Sequence, residues 1–233
     1  TMEATLRAGL PELGLRFDDG KISRLAAYGA AVLEQNKVMN LTAITDPVQA
    51  ARLHLLDSLA LLTAADLKGK RVIDVGTGAG MPGVPLKIAE PTIELTLLDS
   101  TEKKINFLKA LLPRLGADAD CVAARAEEFA AQHRESYDAA VSRAVARLRL
   151  LAELCLPLVK VGGWFYALKG PDAGDEAAEA ASAVRILGGS APEIVQVKIP
   201  GTDTAHCIVK IRKLTPTPGQ YPRAWGKMKK APL

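Results

Sequence analysis

Two periodicities of apolar residues alternate along the chain. Short runs rich in valine, isoleucine and leucine are typical of buried β-strands, and longer stretches with an apolar residue at every third or fourth position are typical of helices packed on one face. The short runs predict seven strands, over 71–75, 93–99, 119–124, 137–142, 164–168, 194–199 and 205–211. The longer stretches predict helices between the strands, over 83–90, 101–112, 148–160 and 176–187.

The order of these elements predicts the fold class. Strands that alternate with helices build a parallel sheet, because each helix returns the chain to the same edge. Only a short loop over 200–203 separates the last two strands, so we expect them to close the sheet as an antiparallel hairpin. The expected architecture is α/β, with a seven-stranded, mostly parallel sheet and helices on both faces.

The region before the first strand is predicted to be helical. Residues 1–20 are rich in glycine and proline, which predicts a loose arm with at most a short helix. Helical spacing over 21–37 predicts a first helix. A capping side chain followed by proline in Thr45-Asp-Pro47 predicts the start of a second helix that continues to Leu62.

These elements divide the chain into an N-terminal helical extension over 1–68, an α/β domain over 69–213 and a tail over 214–233. The tail contains no acidic residue and is expected to contact a polyanion through its lysines and arginines. The alternative is a solvated tail with no partner.

Composition narrows the class of protein. Of the 233 residues 48% are hydrophobic and 24% charged, as in ordinary globular proteins, and no apolar run approaches the roughly 18 residues that cross a bilayer. No signal segment opens the chain, so we expect a cytoplasmic protein with no membrane partner. The three separated cysteines are expected to be free thiols, and no His/Cys cluster predicts a metal site. We expect a monomer.

A glycine-rich stretch follows the first strand and carries the strongest functional signal. Asp74 precedes Gly76, Gly78 and Gly80, an acid followed by G-x-G-x-G, which is the form that S-adenosylmethionine-dependent methyltransferases use. The dinucleotide fingerprint would instead need a third glycine at Met81. Asp99 ends the second strand, where an acid accepts hydrogen bonds from a ribose. The alternative is an α/β protein that binds no nucleotide.

The carboxyl ends of parallel strands meet at one edge of the sheet, where ligands bind. We therefore expect a single cleft with cofactor contacts to methionine, ribose and adenine in that order along the chain. The residues expected there are Asp74, Gly76, Thr77, Gly78, Met81, Asp99, Ser100, Thr101, Ala126, Glu127 and Arg143.

The end of the fourth strand indicates which atom is methylated. It carries Ser142-Arg143-Ala144 in place of the acid or amide and prolines that accompany amine methylation, and Cys155 lies in an apolar context unsuited to a nucleophile. A nitrogen with a free lone pair, such as guanine N7, needs only alignment with the methyl group. Arg143 is the expected catalytic residue, orienting either the cofactor carboxylate or guanine O6; a structural ion pair is the alternative.

Several motifs in order resemble one family, the bacterial 16S ribosomal RNA guanine-N7 methyltransferases called ribosomal RNA small subunit methyltransferase G or glucose-inhibited division protein B. They are Asn36-Lys-Val-Met-Asn-Leu-Thr-Ala-Ile44, His54-Leu-Leu-Asp-Ser58, Asp74-Val-Gly-Thr-Gly-Ala-Gly-Met-Pro-Gly83, Ser142-Arg-Ala144, Leu168-Lys-Gly170 and Tyr221-Pro-Arg223. The resemblance implies the Rossmann-like class I methyltransferase fold, S-adenosyl-L-methionine as cofactor and 16S ribosomal RNA or the small ribosomal subunit as partner.

The resemblance also implies which residues contact RNA. Its expected contacts are Asn40, Arg125, Lys169, Arg223, Lys229 and Lys230, although Trp225 and Met228 interrupt the basic run of the family's tail. His54 and Asp57 share a helix face and could line the site or serve packing. Two other functions stay open: a small-molecule methyltransferase, and an RNA-binding module whose cofactor site is silent.

Overall fold

The computed structural model describes all 233 residues and contains one seven-stranded sheet. Its strands are Arg71–Val75 (β1), Glu94–Asp99 (β2), Asp120–Ala123 (β3), Tyr137–Arg143 (β4), Val159–Lys169 (β5), Glu193–Val197 (β6) and His206–Arg212 (β7). They lie in the order β3-β2-β1-β4-β5-β7-β6, with the first five parallel and β7 antiparallel to both of its neighbours. The predicted fold class is confirmed.

Helices cover both faces of the sheet. The α-helices are Met2–Glu12 (α1), Asp19–Met39 (α2), Pro47–Ala50 (α3), Asp57–Leu59 (α4), Gly83–Ala89 (α5), Glu102–Arg114 (α6), Ala126–Gln132 (α7), Leu148–Cys155 (α8), Ala173–Ile186 (α9) and Trp225–Lys230 (α10). A π-helix covers Ala51–Leu56, and 3₁₀ turns cover Ala60–Thr63 and Leu156–Leu158.

Two apolar cores hold these layers together. On one face, side chains of β1, β2, β4 and β5 pack with α1, α2, α5 and α6 and with the π-helix, so the N-terminal extension shares its core with the sheet. On the other face, the alternate strand residues pack with α7, α8 and α9 and with Met228 of the tail. Both ends of the chain are therefore built into the domain.

The amino terminus differs from our expectation. The prediction of a loose arm over 1–20 is wrong, because 11 residues of it form α1. The hydroxyl oxygen of Thr1 caps this helix, and its buried face carries Met2, Leu6 and Leu10. Gly9 serves packing here, since a Cβ at that position would meet Leu56 Cδ1 at 2.5 Å.

The helix predicted from Thr45 is present but changes its type along its length. Asp46 caps it by accepting a hydrogen bond from the amide of Gln49 at 2.8 Å, and Pro47 is its first residue, as predicted. Over Ala51–Leu56 the backbone is π-helical, with hydrogen bonds that span five residues instead of four. The regular α-helical geometry returns at Asp57.

The region between β4 and β5 also differs in detail. We predicted a helix to 160, but α8 ends at Cys155, because Pro157 lacks the amide hydrogen that an α-helix needs there. The strand that we predicted from 164 begins at Val159, so Gly162 and Gly163 lie inside β5, beside an irregularity in its pairing with β4. A Cβ on Gly163 would meet the Asp138 carbonyl oxygen at 2.4 Å, so only glycine fits.

Candidate active site

The glycine loop after β1 reverses the chain through left-handed backbone. The φ angles are +70° at Gly76 and +58° at Gly78, which only glycine adopts without strain. A Cβ on Gly76 would meet Val145 Cγ2 at 2.4 Å, whereas a Cβ on Gly78 would have no atom within 4 Å. Gly76 therefore packs against the chain, and Gly78 leaves space for a ligand to approach the backbone.

Asp74, at the end of β1, fixes the glycine loop through two hydrogen bonds. Its Oδ2 accepts hydrogen bonds from the Thr77 hydroxyl at 2.7 Å and from the Gly83 amide at 2.8 Å. Burial raises the pKa of this carboxyl to about 6, although both hydrogen bonds act to lower it. Its Oδ1 is buried without a hydrogen-bond partner in the chain.

Asp99, at the end of β2, joins two loops. Its Oδ2 accepts a hydrogen bond from the Gly78 amide at 2.9 Å, and its Oδ1 accepts one from the Thr101 amide at 2.9 Å. The carboxylate is almost fully buried, while the neighbouring Ser100 is exposed. Asp74 and Asp99, which lie at the ends of adjacent strands, therefore both form hydrogen bonds to the glycine loop.

A cleft with a volume of about 320 Å³ opens at this edge of the sheet. The structure brings six of the expected cofactor residues into its lining: Gly76, Asp99, Ser100, Thr101, Ala126 and Glu127. Eight lining residues were not among the expected cofactor residues: Val75, Leu98, Lys104, Ala124, Val145, Leu154, Trp225 and Arg125, which was expected to contact RNA. Nothing in the local sequence of Trp225 signalled this placement, because the tail reaches the cleft only through the folding of the whole chain.

The other expected cofactor residues lie beside this cleft. Asp74, Thr77 and Gly78 belong to the loop network, and Met81 is joined to Arg143, whose Nη2 lies 3.6 Å from the methionine sulfur. The Arg143 guanidinium is mostly buried, with 18% of its side chain exposed. Its Nη1 donates to the Leu53 carbonyl at 3.0 Å and forms an ion pair with Asp57.

His54 of the π-helix and Asp57, the first residue of α4, both contact this arginine. Arg143 Nη2 lies 3.1 Å from Nδ1 of His54, and Nε2 of His54 lies 2.7 Å from the Thr42 hydroxyl. Burial, with the positive charge of Arg143, lowers the pKa of His54 to about 4, so the ring is neutral at neutral pH. Arginine can only donate, so Nδ1 accepts and the proton lies on Nε2, which donates to Thr42.

A second histidine, on β7, extends the cluster. His206 of β7 places Nδ1 at 2.9 Å from Asp57 Oδ1, so Asp57 is shared between His206 and Arg143. His206 Nε2 is buried without a hydrogen-bond partner. Sequence reasoning did not find His206, because 149 positions separate it from Asp57 and no short motif contains both.

The six expected RNA contacts divide into two groups. Asn40, Arg125, Lys229 and Lys230 are exposed, and Asn40 ends α2 in a left-handed conformation. The other two are largely buried in ion pairs: Lys169 Nζ pairs with Glu176 at 3.0 Å and Arg223 with Glu153 at 2.8 Å. These two cations hold elements of the fold together.

The structure contains no group of three or more His, Cys, Asp or Glu side chains arranged to hold a metal ion. None of its helices combines the length and the apolar character needed to span a membrane.

Solved structures with a similar fold include methyltransferases. The mitomycin 7-O-methyltransferase superposes with a TM-score of 0.58 at 16% identity, covering 80% of this chain and 60% of that chain. A predicted O-methyltransferase from Agrobacterium tumefaciens superposes with a TM-score of 0.52 at 21% identity, covering 69% of this chain and 82% of that chain. At these identities the likeness shows the fold, the Rossmann-like class I methyltransferase fold.

Sequence relatives are much closer. The ribosomal RNA small subunit methyltransferase G of Pelotomaculum thermopropionicum is 45% identical, over 98% of both chains, and that of Alkaliphilus metalliredigens is 44% identical, over 98% of this chain and 97% of the relative. The family model described as rRNA small subunit methyltransferase G matches residues 21–205. With its glycine loop, its two acids and its sheet order, this chain belongs to the rRNA small subunit methyltransferase G family.

Proposed function

We propose that the protein transfers the methyl group of S-adenosyl-L-methionine to N7 of a guanosine in 16S ribosomal RNA. Membership of the family supports this, and one observation carries it: Asp74 and Asp99 together hold the glycine loop through Thr77, Gly83 and Gly78. A loop held open in this way at the carboxyl edge of a parallel sheet is a nucleotide-binding feature. An RNA-binding module with a silent cofactor site would not need it.

The residues present fit this cofactor. Asp74 Oδ1 is a buried carboxylate oxygen without a partner, which suits a cationic group. Asp99 stands at the strand end from which an acid accepts hydrogen bonds from a ribose diol, and the cleft beside it also contains Ala126 and Glu127. When bound, the cofactor supplies a methyl group attached to a positively charged sulfur.

The end of β4 suits a target atom that has a lone pair and no proton. It carries Ser142, whose hydroxyl donates to the Val75 carbonyl at 2.8 Å, and Arg143, so it presents no carboxylate base. Cys155 is fully buried, and burial raises the pKa of its thiol well above the usual range, so it cannot serve as a nucleophile. Guanine N7 needs neither group.

We assign Arg143 to the cofactor side of the reaction. Its two terminal nitrogens are already engaged by Leu53, Asp57, His54 and Met81. The paired contact by which arginine reads a guanine edge needs two free N–H groups. Held as it is, Arg143 fixes the position of Met81 and of the strand end at which the methyl group is transferred.

The proposed RNA surface consists of the exposed residues Asn40, Arg125, Lys229 and Lys230. Cations that neutralise phosphates gain affinity by releasing counterions, which suits a polyanionic substrate. We propose that the protein acts as a monomer and that it acts in the cytoplasm. Its three unpaired cysteines support the second proposal, since free thiols are expected in a reducing compartment.

The test is methyl transfer from labelled S-adenosylmethionine to unmodified small-subunit RNA, naked and within the ribosomal particle. We expect label in 7-methylguanosine, identified by mass spectrometry of the nucleosides. Transfer to neither form, with cofactor binding still measurable by calorimetry, would reject RNA as the substrate and favour a small-molecule acceptor.

A further inference from the structure

The C-terminal tail is attached firmly to the α/β domain. The Glu153 carboxylate of α8 is almost completely buried and accepts hydrogen bonds from the backbone amide and the Nε of Arg223, each at 2.9 Å, while Arg223 Nη2 donates to its second oxygen at 2.8 Å. Met228 is fully buried in the apolar core on the side of the sheet that α8 covers. At the chain end, Arg149 donates to the Leu233 carbonyl at 3.0 Å.

These attachments place one aromatic ring of the tail in the cleft that contains Asp99 and Glu127. Trp225, the first residue of α10, is half-buried and lines this cleft. The guanidinium of Arg125 lies over its ring at 5.8 Å from the centroid, and Arg125 Nε donates to Glu127 at 3.1 Å. The ring is thus held by contacts on both the tail and the β3 side of the cleft.

The lining around Trp225 suits a flat aromatic ligand. Leu98, Val145 and Leu154 supply apolar surface in the same cleft, while the carboxylates lie at Asp99 and Glu127. A planar base gains most from an aromatic surface on which it stacks, with polar groups at its edge. The adenine of the cofactor is expected beside Ala126 and Glu127, at the end of the cleft that Arg125 and Trp225 share.

We propose that Trp225 forms the stacking wall for the adenine ring of the cofactor. The C-terminal tail, which the sequence suggested for RNA alone, thereby supplies part of the cofactor site. The inference rests on the proposed function, since it requires that S-adenosylmethionine occupies this cleft. Lys229 and Lys230 remain exposed on the same short helix, so one tail segment has a cofactor-facing residue and an RNA-facing pair.

Two single-tryptophan proteins test this directly, since Trp164 and Trp225 are the only tryptophans. Trp164 lines a different cleft with Lys160 and Lys210, at the opposite edge of the sheet, and serves as the matched control. In Trp164→Phe we expect S-adenosylmethionine and adenosine to change the fluorescence of Trp225 saturably, and methionine to leave it unchanged. In Trp225→Phe we expect none of the three to change the fluorescence of Trp164.

The affinity for S-adenosylmethionine distinguishes stacking of adenine on the Trp225 ring from simple apolar packing against this side chain. In calorimetry, we expect Trp225→Leu to weaken S-adenosylmethionine binding by about tenfold, within the range found for loss of base–aromatic stacking. Trp225→Phe keeps an aromatic ring and should remain within about threefold of the unchanged protein. Circular dichroism and thermal melting of each variant establish that it is folded.

The outcomes separate this inference from the proposed function. Two results would overturn the stacking proposal and leave the methyltransferase proposal intact. One is normal cofactor binding with no change in the fluorescence of Trp225. The other is the same affinity for S-adenosylmethionine in Trp225→Leu and Trp225→Phe. Failure of the unchanged protein to bind S-adenosylmethionine would overturn both.

Discussion

Arg143, at the end of β4, forms an ion pair with Asp57, which lies 86 positions earlier in the chain, with 3.2 Å between Nη1 and Oδ2. Only 18% and 11% of the two side chains are exposed, so the pair is mostly desolvated. The strand end that we connect with methyl transfer is therefore positioned by the N-terminal helices, and the site is complete only when both parts of the chain are folded together.

Removing the charge of Asp57 tests this relationship. In Asp57→Asn we expect a loss of about 2 kcal/mol in the free energy of unfolding, because the buried Arg143 and His206 lose a charged hydrogen-bond acceptor. Urea denaturation measures this loss, and calorimetry should show weaker cofactor binding. Asp66→Asn, at an exposed carboxylate, is the control. Equal stability of the two variants would contradict a structural role for the pair.

The raised pKa of Asp74 predicts a pH dependence of cofactor binding. Its pKa of about 6 means that the carboxyl is charged above pH 6 and neutral below it. Since the charged form attracts the cationic cofactor, affinity should rise as the pH increases through 6, and Asp74→Asn should abolish that rise. His54 does not contribute in this range, because its pKa is about 4. Calorimetric titrations from pH 5 to 7.5 measure both curves.

The same pKa shift predicts the opposite trend for stability. Folding raises the pKa of Asp74 from its ordinary value of 3.8, so the folded state holds this proton more tightly than the unfolded state. The stability that the proton contributes is present below pH 4 and is lost as the pH rises through 6.

The binding prediction has its own contradicting outcome. If Asp74→Asn shows the same pH dependence of cofactor binding as the unchanged protein, the assignment of Asp74 to the cofactor fails.

The exposed lysines of α10 should govern the salt dependence of RNA binding. Replacing Lys229 and Lys230 by glutamine should weaken binding and reduce the slope of log affinity against log salt by about one unit for each lysine. Lys68→Gln with Lys70→Gln removes the same charge from an exposed segment just before β1, at the opposite edge of the sheet, and should leave the slope unchanged. Identical slopes for both double variants would remove the tail from the RNA surface.

The Arg223–Glu153 pair should behave as a structural element. Arg223→Met leaves Glu153 buried without its partner, and we expect a loss of about 3 kcal/mol in the free energy of unfolding. Combining it with Glu153→Met removes both charges and should recover most of that loss. Chemical denaturation of the three variants checks the pattern. Full stability of Arg223→Met would show that the pair does not hold the tail.

Local patterns in the sequence predicted the local features of this protein. The strands began and ended close to their predicted positions, with β5 as the exception, and the acids at 74 and 99 lie at strand ends as expected. Over 1–20 we predicted at most a short helix in a loose arm, because the helix-breaking residues outweighed the three buried apolar residues on one face of α1. There, burial against α2 and the π-helix overrides the local propensity.

The contacts within the site could not be predicted in the same way. Asp57 meets Arg143 and His206 only because β4 and β7 bring them beside the same helix, and no spacing along the chain signals such a meeting. Charge alone was likewise insufficient for the RNA surface. Nothing in the sequence distinguishes Lys169 and Arg223 from the exposed cations. Only the folded structure shows that they form ion pairs with the buried residues Glu176 and Glu153.

The π-helix over Ala51–Leu56 makes the length of that segment as important as its composition. If the same residues adopted ordinary α-helical geometry, the chain beyond them would turn by about 100° around the helix axis, since an α-helix has about 3.6 residues per turn and a π-helical turn holds more. Asp57 would then point away from Arg143. Relatives that retain this ion pair should therefore either keep the π-helix or lose one residue together with it.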